Sequence, residues 1–371
     1  MEDRKYFYAL DGLRGIAAFI IAFIWHYRWN FNPQNGLPFE KLFWPFYQYG
    51  EGVVELFFMI SGFTMAYCYT DKIFSKAITF KNYILKRLSH IYPIFFISTF
   101  AVIVLQYIHI KLTGITFIVS HFDFLHFVMN IFLVQNGIFG DELSFNGVAW
   151  CIPIEFACYI ILYIILVLSN KNGCKAAHIY ALFIVFWSIV LMFNLHGVPF
   201  LNTQNARGQC CFFLGALLHY LYIKKRDIRA INYLIFGSVI LILAVMLQFD
   251  LSQNIVLAGI ILKLVILPIV VWMAINIKTL EIILGCKMLR LLGKLSLSLY
   301  LWHFPAEIFI SDLDNAFQLN IDYSSYIFYF TYMTFVLILS YASNRWIESI
   351  NLISFAEHIT NVKMGEKSAG H

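Results

Sequence analysis

An arginine and a histidine lie twelve positions apart in the first apolar stretch of the chain. Arg14 precedes His26, and residues 16–25 between them carry no charge and are mostly aliphatic or aromatic. Ionisable groups in such a segment are costly unless they are paired or face a wet cavity, so they are candidates for function. Because a helix rises about 1.5 Å per residue, the two side chains are expected roughly 18 Å apart, one near each membrane face.

Three further ionisable residues are predicted at the depth of His26, near the outer face. Glu55 and Glu155 lie inside apolar stretches, and Arg207 lies at the mouth of another. An imidazole beside a carboxylate is the usual equipment for general-base activation of a hydroxyl group. The pattern is therefore compatible with His26 as the base and a carboxylate, Glu155 or Glu55, that orients it. The alternative is an interfacial histidine in a belt of tryptophan and tyrosine residues.

A second polar group is predicted at the opposite depth, near the inner face. Asp11 and Arg14 start the first apolar stretch, and Arg87 and His90 lead into the third. Asp11 and Arg14 are three positions apart, so a simple local ion pair is the alternative interpretation for them. Polar groups at two depths indicate that something is passed or reached across the membrane.

The composition excludes an ordinary soluble protein. The 371 residues are 61% hydrophobic and 13% charged, whereas soluble domains are about 45–50% apolar and about 25% charged. We predict one membrane domain over residues 1–350 and a short polar tail over residues 351–371. The net charge of +5 is not taken as a sign of nucleic-acid binding, and no nucleic-acid partner is expected.

Cysteine spacing argues against a metal centre. The seven cysteines form no Cys-x-x-Cys pair, and most lie in apolar runs, where cysteine behaves as a small hydrophobic residue. We therefore expect no metal site and no permanently bound cofactor.

The distribution of basic residues predicts the topology. About twenty apolar residues cross the membrane as a helix, and the stretches that qualify or nearly qualify are 9–29, 49–70, 91–110, 148–168, 178–195, 208–223, 232–249, 255–275, 296–312 and 324–343. Segment 123–138 is ambiguous. If it does not cross, the inside holds 21 of the 26 lysines and arginines, as the positive-inside rule requires. The sequence thus predicts an all-α protein with about ten transmembrane helices and both termini in the cytoplasm.

Six short segments, in fixed order along nearly the whole chain, resemble motifs of membrane acyltransferase family 3. These are residues 10–18, 52–63, 86–93, 150–159, 297–303 and 345–348. The family comprises bacterial O-acyltransferases of surface polysaccharides, lipopolysaccharide and nodulation signals. The resemblance therefore implies a multi-pass enzyme of the bacterial inner membrane, with the lipid bilayer around it.

The resemblance also implies a donor, an acceptor and roles for particular residues. Acyl-CoA, most often acetyl-CoA, would be the co-substrate on the cytoplasmic side, and a carbohydrate hydroxyl would be the acceptor outside. The implied catalytic residues are His26, as general base or transient acyl carrier, with Glu155 and Glu55. The implied acyl-CoA-binding residues are Arg14, Asp11, Arg87, His90 and Ser61. The implied acceptor-binding residues are Trp150, Tyr159 and Arg207, and His303 would line the pathway.

The spacing of Arg14 and His26 departs from the family by one residue. The family usually has ten residues between this arginine and this histidine, and here there are eleven. Twelve steps of about 100° leave the side chains about 120° apart around a helix, whereas eleven steps bring them nearly into line. A π-bulge near residues 23–25 would restore the alignment, and such bulges are frequent at functional sites.

Three other functions remain open at this point. A transporter or flippase also places charges at two depths, although neither inverted repeats nor matching broken helices are visible in the sequence. A second alternative is an acyltransferase with another donor, such as a succinyl group. A third is a catalytically inactive sensor or partner subunit, against which the intact His26 and Glu155 argue. Neither the identity of the acceptor nor the oligomeric state can be inferred from the sequence.

Overall fold

The computed structural model describes residues 5–135, 143–172, 175–193, 198, 200–224 and 261–349. Within these ranges the regular secondary structure is helical, and the one β contact is an isolated bridge between His121 and Ser144. The all-α architecture is therefore confirmed. The helices are α1 Tyr8–Phe31, α2 Glu40–Tyr49, α3 Val54–Phe74, α4 Phe80–Thr113, α5 Phe124–Ile131, α6 Cys151–Asn172, α7 Ala176–Phe193, α8 Thr203–Ile223, α9 Leu267–Asn276, α10 Lys278–Leu284, α11 Lys287–Lys294, α12 Ser296–Phe317 and α13 Tyr326–Trp346.

Helix α1 contains the predicted π-bulge. Its α-helical hydrogen bonding is interrupted by a π-helical segment, Ile21–Trp25, that ends immediately before His26. Such a segment takes one extra residue into the turn, and one residue corresponds to about 100° of rotation. The bulge therefore offsets most of the misalignment that the spacing of Arg14 and His26 would otherwise produce.

Helix length and hydropathy define a multi-pass membrane protein. In the described part of the chain, five helical segments are long and apolar enough to cross a membrane: Tyr8–Phe31, Glu40–Phe74, Phe80–Thr113, Gly147–Lys171 and Tyr326–Trp346. The number becomes six if Leu262–Asn276 and Lys278–Leu284, which meet at 95°, form one bent crossing. The count of ten helices and the cytoplasmic termini stay predictions.

Some predicted segments lie outside the described residues. They are the span at 232–249, the first part of the span at 255–275, and the tail at 351–371. Helices α7, α8 and α12 occupy three further predicted spans, but over the described residues they are not long and apolar enough to count among these crossings.

Within its described residues, 123–135, the ambiguous segment after α4 contains the short helix α5. Asp123 caps this helix by accepting a hydrogen bond from the backbone N–H of His126. The eight residues of α5 rise about 12 Å, which is too short to cross a hydrocarbon core about 30 Å thick. This geometry agrees with the prediction that the segment does not cross.

Glycines bring helix backbones into direct contact at two places. A Cβ atom added to Gly62 of α3 would lie 1.9 Å from the carbonyl oxygen of Phe212, and one added to Gly215 of α8 would lie 1.9 Å from that of Met59. Small residues allow such close approach of helices in membranes. Gly215 is therefore a helix-packing residue.

The second glycine contact joins α1 to α10 and α11. A Cβ on Gly12 would lie 2.0 Å from the carbonyl oxygen of Leu284, and a Cβ on Gly15 would lie 2.6 Å from the backbone nitrogen of Gly293. The glycines of the first motif thus hold the α10–α11 corner against the Arg14 end of α1.

Candidate active site

A cavity of about 300 Å³ lies beside His26. Its walls come from α1, the turn before α3, the start of α8 and the segment that leads into α6. The lining residues are Ile21, Trp25, His26, Glu51, Val54, Leu143, Trp150, Gln204 and Arg207. We call this space the His26 cavity. Its mixture of charged, amide and indole groups suits a polar ligand.

The partner of His26 is a second histidine. Nδ1 of His26 lies 2.7 Å from Nε2 of His303, and the two rings stack with their planes 18° apart. Nδ1 of His303 lies 3.2 Å from the carbonyl oxygen of Leu299. The prediction that Glu155 or Glu55 orients His26 is therefore wrong, because both glutamates bind other groups.

Glu55 belongs to a buried charge cluster. Its side chain is fully buried, and its Oε1 accepts a hydrogen bond from Nε of Arg207 at 2.6 Å. Nζ of Lys263 lies 3.4 Å from the same oxygen, which supplies the partner that the sequence did not assign. A buried charge of this kind requires pairing. Glu55 therefore positions Arg207 at the cavity wall and is not the orienting partner of His26.

Arg207 lines the His26 cavity. Its guanidinium lies 5.1 Å from the ring centroid of Trp150 and also pairs with Glu51. Its Nη2 is buried and has no hydrogen-bond partner in the structure, although buried donors are normally satisfied. Trp150 and Arg207 thus lie together, as the acceptor assignment requires.

Glu155 lies at one end of a chain of side-chain hydrogen bonds. The hydroxyl of Tyr159 donates to Oε1 of Glu155 at 2.6 Å and lies 3.0 Å from the hydroxyl of Ser61. Tyr159 is buried and is not among the residues that line the His26 cavity. Its assignment to acceptor binding stays a prediction.

The predicted inner group also forms a cluster. Arg14 donates to the hydroxyl of Thr64 at 3.3 Å and lies 3.5 Å from Asp11, and Arg87 donates to the hydroxyl of Tyr69 at 2.9 Å. His90 lies on α4, three residues after Arg87. Arg14 on α1 and Arg87 on α4 therefore both bind residues of α3. The Asp11–Arg14 ion pair exists, but it accounts for only part of the contacts of Arg14.

Comparison with known families decides the class of the protein. A family model described as an acyltransferase domain, that of acyltransferase family 3, matches residues 7–345. The chain belongs to acyltransferase family 3. No curated protein and no solved structure matches it significantly. The matched residues include both histidines, both polar clusters and the glycine contacts. The sequence resemblance is therefore confirmed at the level of the family.

Sequence reasoning missed two polar residues of this acyltransferase's cavity, Glu51 and Gln204. Glu51 lies four positions before Glu55, and residues at this spacing share one face of a helix. That spacing was a usable signal for Glu51. No sequence pattern of this kind points to Gln204, because its place in the cavity wall depends on how the start of α8 packs against the other helices.

Glu307 stabilises the helices behind the histidine pair. One carboxylate oxygen accepts a hydrogen bond from the hydroxyl of Tyr332 at 2.9 Å, and the other accepts one from the side-chain amide of Asn30. Glu307 lies one turn after His303 on α12. Its contacts therefore join α12 to α1 and α13 and fix the helix that carries His303.

One surface cluster in the described residues has metal-type donors. The ligand atoms of His121, Asp123 and His126 lie within 4.8 Å of one another. Asp123 already has a structural role, because it caps α5, and the hydrogen bond from the backbone of His126 lowers the pKa of its carboxyl group. Sequence analysis did not single out this cluster.

Proposed function

We propose that this family 3 acyltransferase transfers an acyl group, in the simplest case acetyl, from cytoplasmic acyl-CoA to a hydroxyl group of an extracytoplasmic carbohydrate. The bacterial inner membrane is the proposed location. The observation that carries the proposal is the His26–His303 pair, whose His26 lines a cavity that Trp150 and Arg207 also line.

The hydrogen bonds of the pair assign the tautomer of His26. A backbone carbonyl only accepts, so Nδ1 of His303 carries the hydrogen that reaches Leu299. With His303 neutral, its Nε2 is then an acceptor, and Nδ1 of His26 donates to it. The remaining ring nitrogen of His26, Nε2, therefore holds a free lone pair and is the atom that accepts a proton.

The reaction follows from this lone pair. Nε2 of His26 takes the proton of the acceptor hydroxyl while the oxygen attacks the thioester carbonyl carbon. The C–S bond then breaks, CoA leaves as a thiolate and takes the proton back from His26, and the carbohydrate ester remains. If His26 carries the acyl group transiently, the same nitrogen is the nucleophile.

Arg207 is proposed to stabilise the charge that develops in this step. Its side chain lines the same cavity as His26, and preorganised donors at a developing oxyanion are typically among the largest catalytic contributions. Trp150, which packs against Arg207, offers an apolar face to a sugar ring. Both roles place the carbohydrate at the His26 end of α1.

The Arg14 end of α1 is proposed to hold the donor. Arg14 and Arg87 are cations able to bind phosphate oxygens through charge-assisted hydrogen bonds, and His90, Asp11 and Ser61 lie in or beside their cluster. The roughly 18 Å of helix between Arg14 and His26 is comparable with an extended pantetheine arm. The thioester would thus reach His26 while the nucleotide stays at the inner end.

The test is an acetyl-transfer assay in membranes that contain the wild-type protein or the His26→Ala variant. With radiolabelled acetyl-CoA, we expect label in an alkali-labile carbohydrate ester for the wild type and a loss of about 10²–10⁴-fold for His26→Ala. His178→Ala is the control, because His178 is exposed and remote from the cavity lining.

Two results would contradict the proposal. One is an unchanged rate for folded His26→Ala protein. The other is a wild-type protein that moves a carbohydrate across the membrane without acylating it, which would identify a transporter. Mass spectrometry of surface polysaccharides from cells with and without the gene then identifies the acceptor.

A further inference from the structure

A second cavity, of about 480 Å³, lies at the opposite end of the protein from His26. We call it the α11 cavity, and its lining residues are Tyr6, Tyr8, Asp11, Lys287, Arg290, Leu291 and Lys294. Asp11 also pairs with Arg14. The α11 cavity is therefore adjacent to the inner polar cluster, although sequence analysis assigned no function to α11.

The cationic lining comes from one face of α11. Lys287, Arg290 and Lys294 are three and four positions apart, so they project from the same side of the helix. They face a single carboxylate, that of Asp11. Neither Lys287 nor Lys294 forms a side-chain hydrogen bond or ion pair that the structure describes, and Nε of Arg290 is buried without a partner. The cavity therefore has an excess of unneutralised positive charge.

Two tyrosines form an aromatic platform beside these cations. The rings of Tyr6 and Tyr8 lie 4.7 Å apart, and the guanidinium of Arg290 lies 4.5 Å from the Tyr8 ring centroid. Partial burial and the hydrogen bond that Tyr6 donates to Asp11 raise the pKa of Tyr6 to about 12, so this ring stays a neutral phenol. Faces of this kind stack on purine bases.

The fold holds this arrangement rigidly. Gly12 and Gly15 allow the backbones of α10 and α11 to touch α1, and a Cβ on Gly293 would lie 2.1 Å from the carbonyl oxygen of Asp11. These contacts fix the distance between the cations of α11 and Arg14. A cation cluster on a rigid helix is a better phosphate site than the same charges on a loop.

We propose that the α11 cavity binds the nucleotide end of the acyl-CoA donor, with the phosphate on the ribose among Lys287, Arg290 and Lys294 and the adenine on the tyrosine platform. This inference rests on the proposed function, because acyl-CoA is the donor there. Tyr8 lies six residues before Arg14, or about 9 Å along the helix. That distance places an adenosine beyond a diphosphate bound at Arg14, on the side away from His26.

The decisive comparison uses two donors that differ only in one phosphate. Acetyl-CoA and acetyl-3′-dephospho-CoA are compared with wild-type, Lys287→Ala and Lys294→Ala proteins in nanodiscs of neutral phosphatidylcholine. We expect each variant to raise KM for acetyl-CoA about tenfold, because a charge-assisted hydrogen bond is lost. We expect KM for the dephospho donor to stay at its wild-type value. Both lysines are exposed, so folding is preserved.

Lys278→Ala is the matched control, since Lys278 is an exposed lysine on α10 that does not line the cavity. An equal rise in KM for both donors would overturn the inference. So would a variant effect that appears only in nanodiscs with anionic phosphatidylglycerol and is the same for both donors, because the cations then bind lipid headgroups.

Direct binding separates this inference from the proposed function. Adenosine 3′,5′-bisphosphate is titrated into wild-type and Arg290→Ala protein by calorimetry, with no acyl group and no acceptor present. Loss of binding in the variant supports the nucleotide site even if no acyl transfer is found. Equal binding to both proteins refutes the site even if the acyl transfer is real.

Discussion

At the scale of single residues, the chemistry depends on which nitrogen of His26 is protonated. The carbonyl oxygen of Leu299 sets the tautomer of His303, and His303 in turn sets that of His26. A neutral histidine can serve this orienting role as a carboxylate does, because its unprotonated nitrogen accepts a hydrogen bond. In the proposed mechanism, His303 is thus a positioning residue, which acts on the substrate through His26.

Replacement of His303 tests this role. His303→Phe keeps an aromatic ring but removes the acceptor, so we expect kcat to fall roughly ten- to a hundredfold with little change in KM. His303→Gln retains a carbonyl acceptor and is expected to recover part of the loss. The measurement is steady-state acetyl transfer at saturating donor. Equal activity of the Phe variant and the wild type would show that the pair has no orienting role.

At the scale of helices, the π segment of α1 determines where His26 points. The segment Ile21–Trp25 absorbs the residue by which this chain exceeds the usual family spacing. The hydroxyl of Tyr332 lies 3.2 Å from the carbonyl oxygen of Ala22, so a residue of α13 contacts the backbone of the irregular segment. The helix is therefore distorted at a defined site and held there by a neighbouring helix.

Length changes within this segment are expected to have opposite effects. Deletion of Ala22 allows a regular α-helix with His26 still in register with Arg14, so we expect the variant to fold and to keep much of its activity. Insertion of one alanine after Ala22 rotates His26 by about 100°, and we expect activity to be lost. Acetyl transfer and size-exclusion profiles of both variants provide the measurement. The reverse order of activities would exclude an aligning role for the bulge.

Three helical segments meet at Glu55. This carboxylate on α3 pairs with Arg207 on α8 and with Lys263 in the π segment before α9. Removing one member of a buried ion pair typically costs about 3–5 kcal/mol, because the remaining charges stay buried without compensation. Glu55→Gln should therefore destabilise the protein strongly.

Glu51→Gln is the control for Glu55→Gln, because Glu51 pairs with the same arginine but its side chain is 55% exposed. Thermal unfolding in detergent should show a large decrease in Tm for the first variant and a small one for the second. Similar values would mean that solvent reaches Glu55 and that the cluster does not hold these helices together.

At the scale of the whole molecule, α1 connects two sites of different chemistry. One end carries the histidine pair and the His26 cavity, and the other carries Arg14 and lies against the α11 cavity. Because a single helix links them, their separation is fixed by its length. This arrangement suits a reaction whose donor and acceptor approach from opposite sides of a membrane.

The proposed orientation predicts which cysteines can be labelled from each side. Cys286 is exposed at the start of α11, so a membrane-impermeant maleimide should label it in inverted vesicles but not in intact spheroplasts. A cysteine introduced as Gln34→Cys, between α1 and α2, should show the opposite pattern. Cys286→Ser provides the background. Labelling of Cys286 from outside would reverse the assignment of donor and acceptor sides.

The sequence alone indicated the class of fold, and the spacing of Arg14 and His26 indicated the irregularity of α1. These properties follow from hydropathy and from spacing along one helix, which are local quantities. The motifs of the family were also recognisable in the sequence, because they are short and contiguous.

The partners of the charged residues were decided only by the tertiary structure. His26 meets His303, Glu55 meets Arg207 and Lys263, and Glu155 meets Tyr159. In a helical membrane protein, any polar residue at a given depth can in principle pair with any other at that depth. The choice depends on helix order, rotation and close backbone contacts, which no local pattern encodes.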